Sequence, residues 1–166
     1  MRRIRMVVSV MAVLVCSALG THGASASLPG VGSTQLVEGF ALKVGSVQWT
    51  REAGVADYVA AKGNVFLLVS LEIKRQGGHG TYLADPSDFH IEVPNGDVLD
   101  TEALGITGEF KARHVYSSPV RGIVGFEVPA KVAGLKLLWQ PTLDSNPDAQ
   151  AEWQLGSAAK IAQSVQ

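Results

Sequence analysis

The stretch that most constrains this chain is 63–74. Val65, Leu67, Val69, Leu71 and Ile73 fall on every second residue, the period of a strand with one face in a core. Phe66 and Leu68 make the first half apolar on the other face as well, which predicts cover on both sides there. Ser70, Glu72 and Lys74 then return that face to water. The alternating side chains together stabilise by roughly 8–15 kcal/mol gross, at about 1.5–3 kcal/mol each, an upper bound against an extended chain. That is on the order of a whole domain's net stability, so the core is expected to be built on this stretch.

The same rhythm recurs on either side of it. Phe40, Leu42 and Val44 alternate, and the pattern resumes at Val47 and Trp49 after Gly45-Ser46, the phase shift of a bulge. Asp85-Pro86-Ser87-Asp88 starts a strand in which Phe89, Ile91 and Val93 oppose His90 and Glu92. Pro94-Asn95-Gly96-Asp97 is a turn signal, with Val98 and Leu99 beginning the return. Val124, Phe126 and Val128 form an inward face ended by Pro129; Leu135, Leu137 and Trp139 form another, stopped by Pro141; Trp153 and Leu155 suggest a last short strand. Two stretches are less legible. In 51–62, Val55, Tyr58 and Val59 fit a turn of helix or an edge segment. In 101–118, Phe110, Ala112, His114 and Tyr116 alternate with Lys111, Arg113 and Val115, as in an exposed or edge strand. Seven or eight short strands, turn signals between them and no long amphipathic helix predict an all-β sandwich or barrel in one domain over 37–156.

Ahead of that domain, Arg2, Arg3 and Arg5, an uncharged apolar run over 6–19 and Ala24-Ser25-Ala26 predict a secretory signal peptide over 1–26, cut between Ala26 and Ser27. The run is short for a membrane span; the plain alternative is a retained N-terminal anchor. Lipid attachment at Cys16 is disfavoured because Val15, not a small residue, precedes it. Residues 27–36 are rich in Gly, Ser and Pro and are expected to be a flexible leader, and 157–166 a tail. Cleavage removes three of the 14 Lys and Arg and none of the 15 Asp and Glu, so the mature balance is 11 − 15 = −4. That mild acidity gives no footprint for nucleic acid or anionic lipid. The single Cys and all three Met lie before residue 27. The mature chain therefore has no disulfide, no thiol chemistry and no soft ligands for Cu(I).

Motifs for nucleophilic, metalloprotease, nucleotide or dinucleotide chemistry are absent from the sequence, and no spacing singles out a Ser-His-Asp set. The sharper candidate is a metal site. Asp88 and His90 lie two apart on the predicted strand, so both point to one face, and His79, in the glycine-rich loop, or Asp85 would reach them. The plain alternative is a solvated strand face, because Phe89, Ile91 and Val93 already take the core side. Asn95, Asp97, Asp100 and Glu102 offer oxygen ligands for Ca²⁺ but do not match the helix-loop-helix spacing; an ordinary hairpin turn is the favoured reading. Trp49, Trp139 and Trp153 mark either a ligand groove or, more commonly, the core.

Three pieces in order, 63–73, Leu83 through Asp88-Phe89 to Pro94-Asn95-Gly96-Asp97, and 122–129, resemble the telokin-like, immunoglobulin-like domains of exported bacterial proteins, the DUF4352 group related to a secreted mycobacterial immunoprotective antigen. The resemblance covers roughly 40–141. It implies an immunoglobulin-like antiparallel β-sandwich of two sheets and carries over no catalytic residue and no cofactor. Many members have a lipoprotein-like start and a long polar linker, which this chain lacks. The expectation is a secreted, non-enzymatic module that meets a protein partner at or outside the cell envelope. The alternative is an envelope metal-binding or sensing protein using His90 and Asp88. Fold by itself does not supply the function.

Overall fold

The computed structural model describes residues 27–54, 58–77 and 81–157; the expected signal, Cys16, Val55, His79 and the tail from 158 onward lie outside them. The described residues form an antiparallel β-sandwich. One sheet has the order β1-β2-β5-β10, built from β1 (Thr34–Val37), β2 (Phe40–Thr50), β5 (Asn64–Arg75) and β10 (Val120–Pro129). The other has the order β12-β11-β7-β8, from β12 (Ala151–Ser157), β11 (Ala133–Trp139), β7 (Phe89–Glu92) and β8 (Val98–Asp100). Two short ribbons complete the fold: β3 (Glu52–Ala53) with β4 (Tyr58–Val59), and β6 (Tyr82–Ala84) with β9 (Arg113–Val115).

β5 is flanked by β2 and β10 along nearly its whole length. Its inward residues Leu67, Val69, Leu71 and Ile73 join Phe126 and Val128 of β10 and meet Ile91, Leu137, Trp139 and Trp153 of the facing sheet in one buried cluster. The second face of β5 behaves as its composition requires. Phe66 is buried in a smaller cluster with Ala53 and Leu104, against which Leu68 and Ile106 pack, and the Tyr58 ring stacks on Phe66 at 5.2 Å. Farther along, that face opens to solvent. The bulge falls where Gly45-Ser46 places it, between Val44 and Val47. Ser70 Oγ accepts from the Ser46 N–H at 2.8 Å. A Cβ on Gly45 would stand 3.0 Å from that hydroxyl, which explains the glycine.

Three local expectations are corrected. The segment 27–36 is not a free leader. Gln154 N–H donates to Pro29 O at 2.9 Å, Gly32 N–H donates to Val44 O at 2.7 Å, and Gln35 Nε2 donates to Glu152 O. The segment bridges to β12 at Gly30, turns at 31–32 and enters β1 at Thr34, so it lies against both sheets. In 101–118 the expected alternation breaks: Phe110 and Val115 are buried while Ala112, His114 and Tyr116 are exposed. Phe110 packs edge-on against Phe89. The chain up to it pairs with β10 through Glu102 N–H to Gly125 O at 2.8 Å and Phe110 N–H to Ile123 O at 2.8 Å; β9 then pairs with β6 instead, so one phase cannot hold throughout. Finally, Asp88 is not yet in a strand. Pro86–Asp88 is a single 3-10 turn capped by Asp85, whose side chain accepts from Ser87 N–H, and β7 starts at Phe89.

Candidate functional site

The capping turn decides where the two metal candidates go. Ending a turn rather than starting a strand, Asp88 points inward and is 3% exposed. Tyr82, on β6, donates its hydroxyl to Asp88 Oδ2 at 2.5 Å, and Asp85 N–H donates to the same oxygen at 2.8 Å. Thr142 Oγ1 lies 3.4 Å from Oδ1. Trp139 Nε1 in turn donates to Tyr82 Oη at 3.1 Å. Burial pushes the Asp88 carboxyl above the usual carboxylate range, against the hydrogen bonds from Tyr82 and Asp85. Burial and the neighbouring Asp88 charge push the Tyr82 phenol far up, so it remains a donor. This buried chain ties the β6 ribbon and the 3-10 turn to β11. Its polar atoms are spent on one another, as buried polar groups require.

His90 takes the opposite side of the sheet. It stands in register with Asp100 of β8, and its Nδ1 is 2.9 Å from Asp100 Oδ1. Asp88 and His90 are therefore separated by the sheet itself; Asp85 is used as the cap of the 3-10 turn, and His79 lies outside the described residues. Among the described residues no three His, Cys, Asp or Glu side chains lie together as a metal would need. The turn residues also have partners. Asn95 Oδ1 accepts from Asp97 N–H at 3.1 Å and its Nδ2 donates to Asp97 Oδ2 at 2.7 Å. Asp100 is with His90, and Glu102 pairs through its backbone with β10. Trp139 and Trp153 are fully buried and Trp49 packs half-buried against the same core, so the tryptophans build the interior.

The open feature is one that alternation along a single strand does not reveal. On the outer face of the β1-β2-β5-β10 sheet, the segment 102–110 and the β3-β4 ribbon roof one half. Leu104 lies over β10 where Gly125 leaves room: a Cβ there would stand 2.3 Å from Leu104 Cδ1. Glu109 Oε1 accepts from Leu104 N–H at 2.6 Å and from Gly105 N–H at 3.2 Å, fixing the loop. The roof stops at Gly108. Beyond it is a groove of about 410 Å³ lined by Lys43, Ser70, Glu72, Arg121 and Ile123. Lys43 and Arg121 are the cross-strand partners of Glu72 on its two sides, so a cation–acid–cation row crosses the groove. Arg121 Nε bonds Glu72 Oε2 at 2.6 Å, with Arg121 69% exposed; its remaining guanidinium donors face solvent. The signal for this site in the sequence is the outward-facing Ser70-Glu72-Lys74 end of β5, but pairing with Lys43 and Arg121 depends on strand order.

No family model matches the chain, and no curated protein matches it. Its backbone is similar to solved structures. YcdA, a candidate lipoprotein of Bacillus subtilis, superposes with a TM-score of 0.65 at 14% identity over 79% of this chain and 40% of YcdA; this chain thus spans about two fifths of that protein. The YjhA protein of Bacillus subtilis gives 0.60 at 16% identity, over 77% of this chain and 99% of YjhA. MPT63, a secreted protein of Mycobacterium tuberculosis, gives 0.56 at 14% identity, over 78% and 99%. At such identities the likeness speaks for architecture, and the chain is an antiparallel β-sandwich of the kind these bacterial proteins share.

Proposed function

We propose that the chain is an exported, non-enzymatic immunoglobulin-like module of the DUF4352 type that binds a protein partner outside the cytoplasmic membrane, and that the groove beside Glu72 is where it does so. The observation that carries this reading is the contrast between the two polar systems. The Asp88–Tyr82–Trp139 chain is buried and internally satisfied, whereas the Lys43–Glu72–Arg121 row lies in an open groove with cationic donors left over. A row of alternating charge on a rigid sheet selects a partner by electrostatic complementarity and register. The excess of cations over acid favours an acidic segment. The likeness to a secreted mycobacterial sandwich and the signal-like start support export.

A photo-crosslinking side chain placed at Ile123, in cells that make the protein, tests this. The expected result is a discrete adduct recovered outside the cytoplasmic membrane, and its loss when Lys43→Glu and Arg121→Glu are added. The same probe at Val98, exposed on the other sheet, should give none. No adduct at Ile123, or one indifferent to both charge reversals, would overturn the reading.

A further inference from the structure

On one side of the sandwich, the edges of β2 and β12 are covered by the chain's own N-terminal arm. Residues 29–37 bond to the edge of β12 through Pro29 and Gln35 and to β2 through Gly32 and the β1 ladder. Every one of these partners lies after residue 39. The arm is lightly held: Thr34 and Leu36 are exposed, and Gln35 and Val37 only half-buried. It is joined to β2 by a two-residue turn, Glu38-Gly39, with Val37 and Phe40 directly paired. Glu38 has φ 48° and Gly39 φ 84°, the pattern of a type I′ turn, whose first position suits Asn, Asp or Gly. Glu38 is the one non-glycine residue with positive φ among the described residues, so this turn holds an unfavoured backbone state. Straightening it would join β1 and β2 into one extended strand.

We infer that the edges of β2 and β12 form a docking surface for a second copy of this chain, which enters by exchange of arms. Opening the turn at Glu38-Gly39 carries residues 29–37 of each copy onto the other. The bonds made by residues 29–37 recur between the two chains, the strain at Glu38 is released, and the contacts of the turn itself, Asn146 Nδ2 to Glu38 Oε1 and Gln76 N–H to Gly39 O, are what opening gives up. Short hinges under strain favour such exchange. The surface adjoins the groove beside Glu72, sharing Lys43 of β2 with it, but the exchange draws on backbone pairing and does not depend on what the groove binds.

The test uses the mature chain 27–166, which has no cysteine. Thr34 and Lys43 are exposed cross-strand partners. One variant carries Thr34→Cys, another Lys43→Cys; they are mixed at high concentration, partly unfolded, refolded together and treated with a short bismaleimide. The expected product is a covalent dimer joining the two variants, absent when Val98→Cys replaces Thr34→Cys. Glu38→Asn, which suits the turn, should lower the dimer yield several-fold, and Gly39→Val, which opposes it, should raise the yield. A chain that stays monomeric throughout, or dimers without the 34-to-43 link, would overturn the inference. Thermal melts showing one cooperative transition in each variant keep misfolding from being mistaken for either result.

Discussion

At the scale of single residues, the informative positions are those where a polar atom or a missing side chain answers to one neighbour. Tyr82 is the acceptor for Trp139 Nε1 and a donor to Asp88. Tyr82→Phe strips the Trp139 indole of its acceptor and Asp88 of its hydroxyl donor, leaving Asp88 the Asp85 N–H, and should cost about 2–3 kcal/mol, read from urea unfolding. Asp88→Asn keeps an oxygen for Tyr82 and Asp85 but carries no charge. Because burial raises the Asp88 carboxyl in the folded state, its contribution to stability is fully present below the unfolded carboxyl pKa and is lost as pH rises through the folded value. The stability of Asp88→Asn relative to the natural chain should therefore climb as pH rises from about 3 to about 7; a flat difference would contradict the burial argument. Gly122 is a steric case. A Cβ there would stand 2.7 Å from Phe110 Cα, a backbone atom that cannot swing away, so Gly122→Ala should destabilise by about 1–3 kcal/mol in the same unfolding assay.

Taken element by element, β5 and the roof over its outer face bear the most weight. Val69 is fully buried at the middle of β5, opposite Val47 and Val124. Val69→Asp would place an unpaired charge in the core and should abolish the cooperative thermal transition. Leu104→Ala should cost about 2–4 kcal/mol and, more tellingly, speed amide exchange at Phe110 and Ile123, whose backbone bonds pin 102–110 to β10. The alternation in β2, β5, β7, β10, β11 and β12 was legible in the sequence because each has one face in a shared core, so side-chain period and burial coincide. The 101–118 stretch was not. Its segments answer to different partners, β10 first and β6 later, and no single period describes them. The Asp88–His90 pairing failed for a related reason: a proline-led capping turn rotates Asp88 inward before the strand begins, and a spacing of two carries its meaning only inside a strand.

For the molecule as a whole, the strand pattern narrowed the architecture to an all-β sandwich or barrel and the family resemblance implied the sandwich, whereas the groove followed from neither, since it requires knowing that β2 and β10 both flank β5. The docked arm was likewise hidden, because its Gly, Ser and Pro content is shared by loops and by edge segments that bond mainly through backbone. The indole placements have a practical side. Trp139 donates to Tyr82, the Trp153 ring nitrogen is buried without an acceptor, and Trp49 is partly wet. The protein thus carries three native optical reporters with distinct surroundings, one tethered, one enclosed and one at the rim of the core. Light emission from single-tryptophan versions would follow opening of different regions separately, without any dye attached.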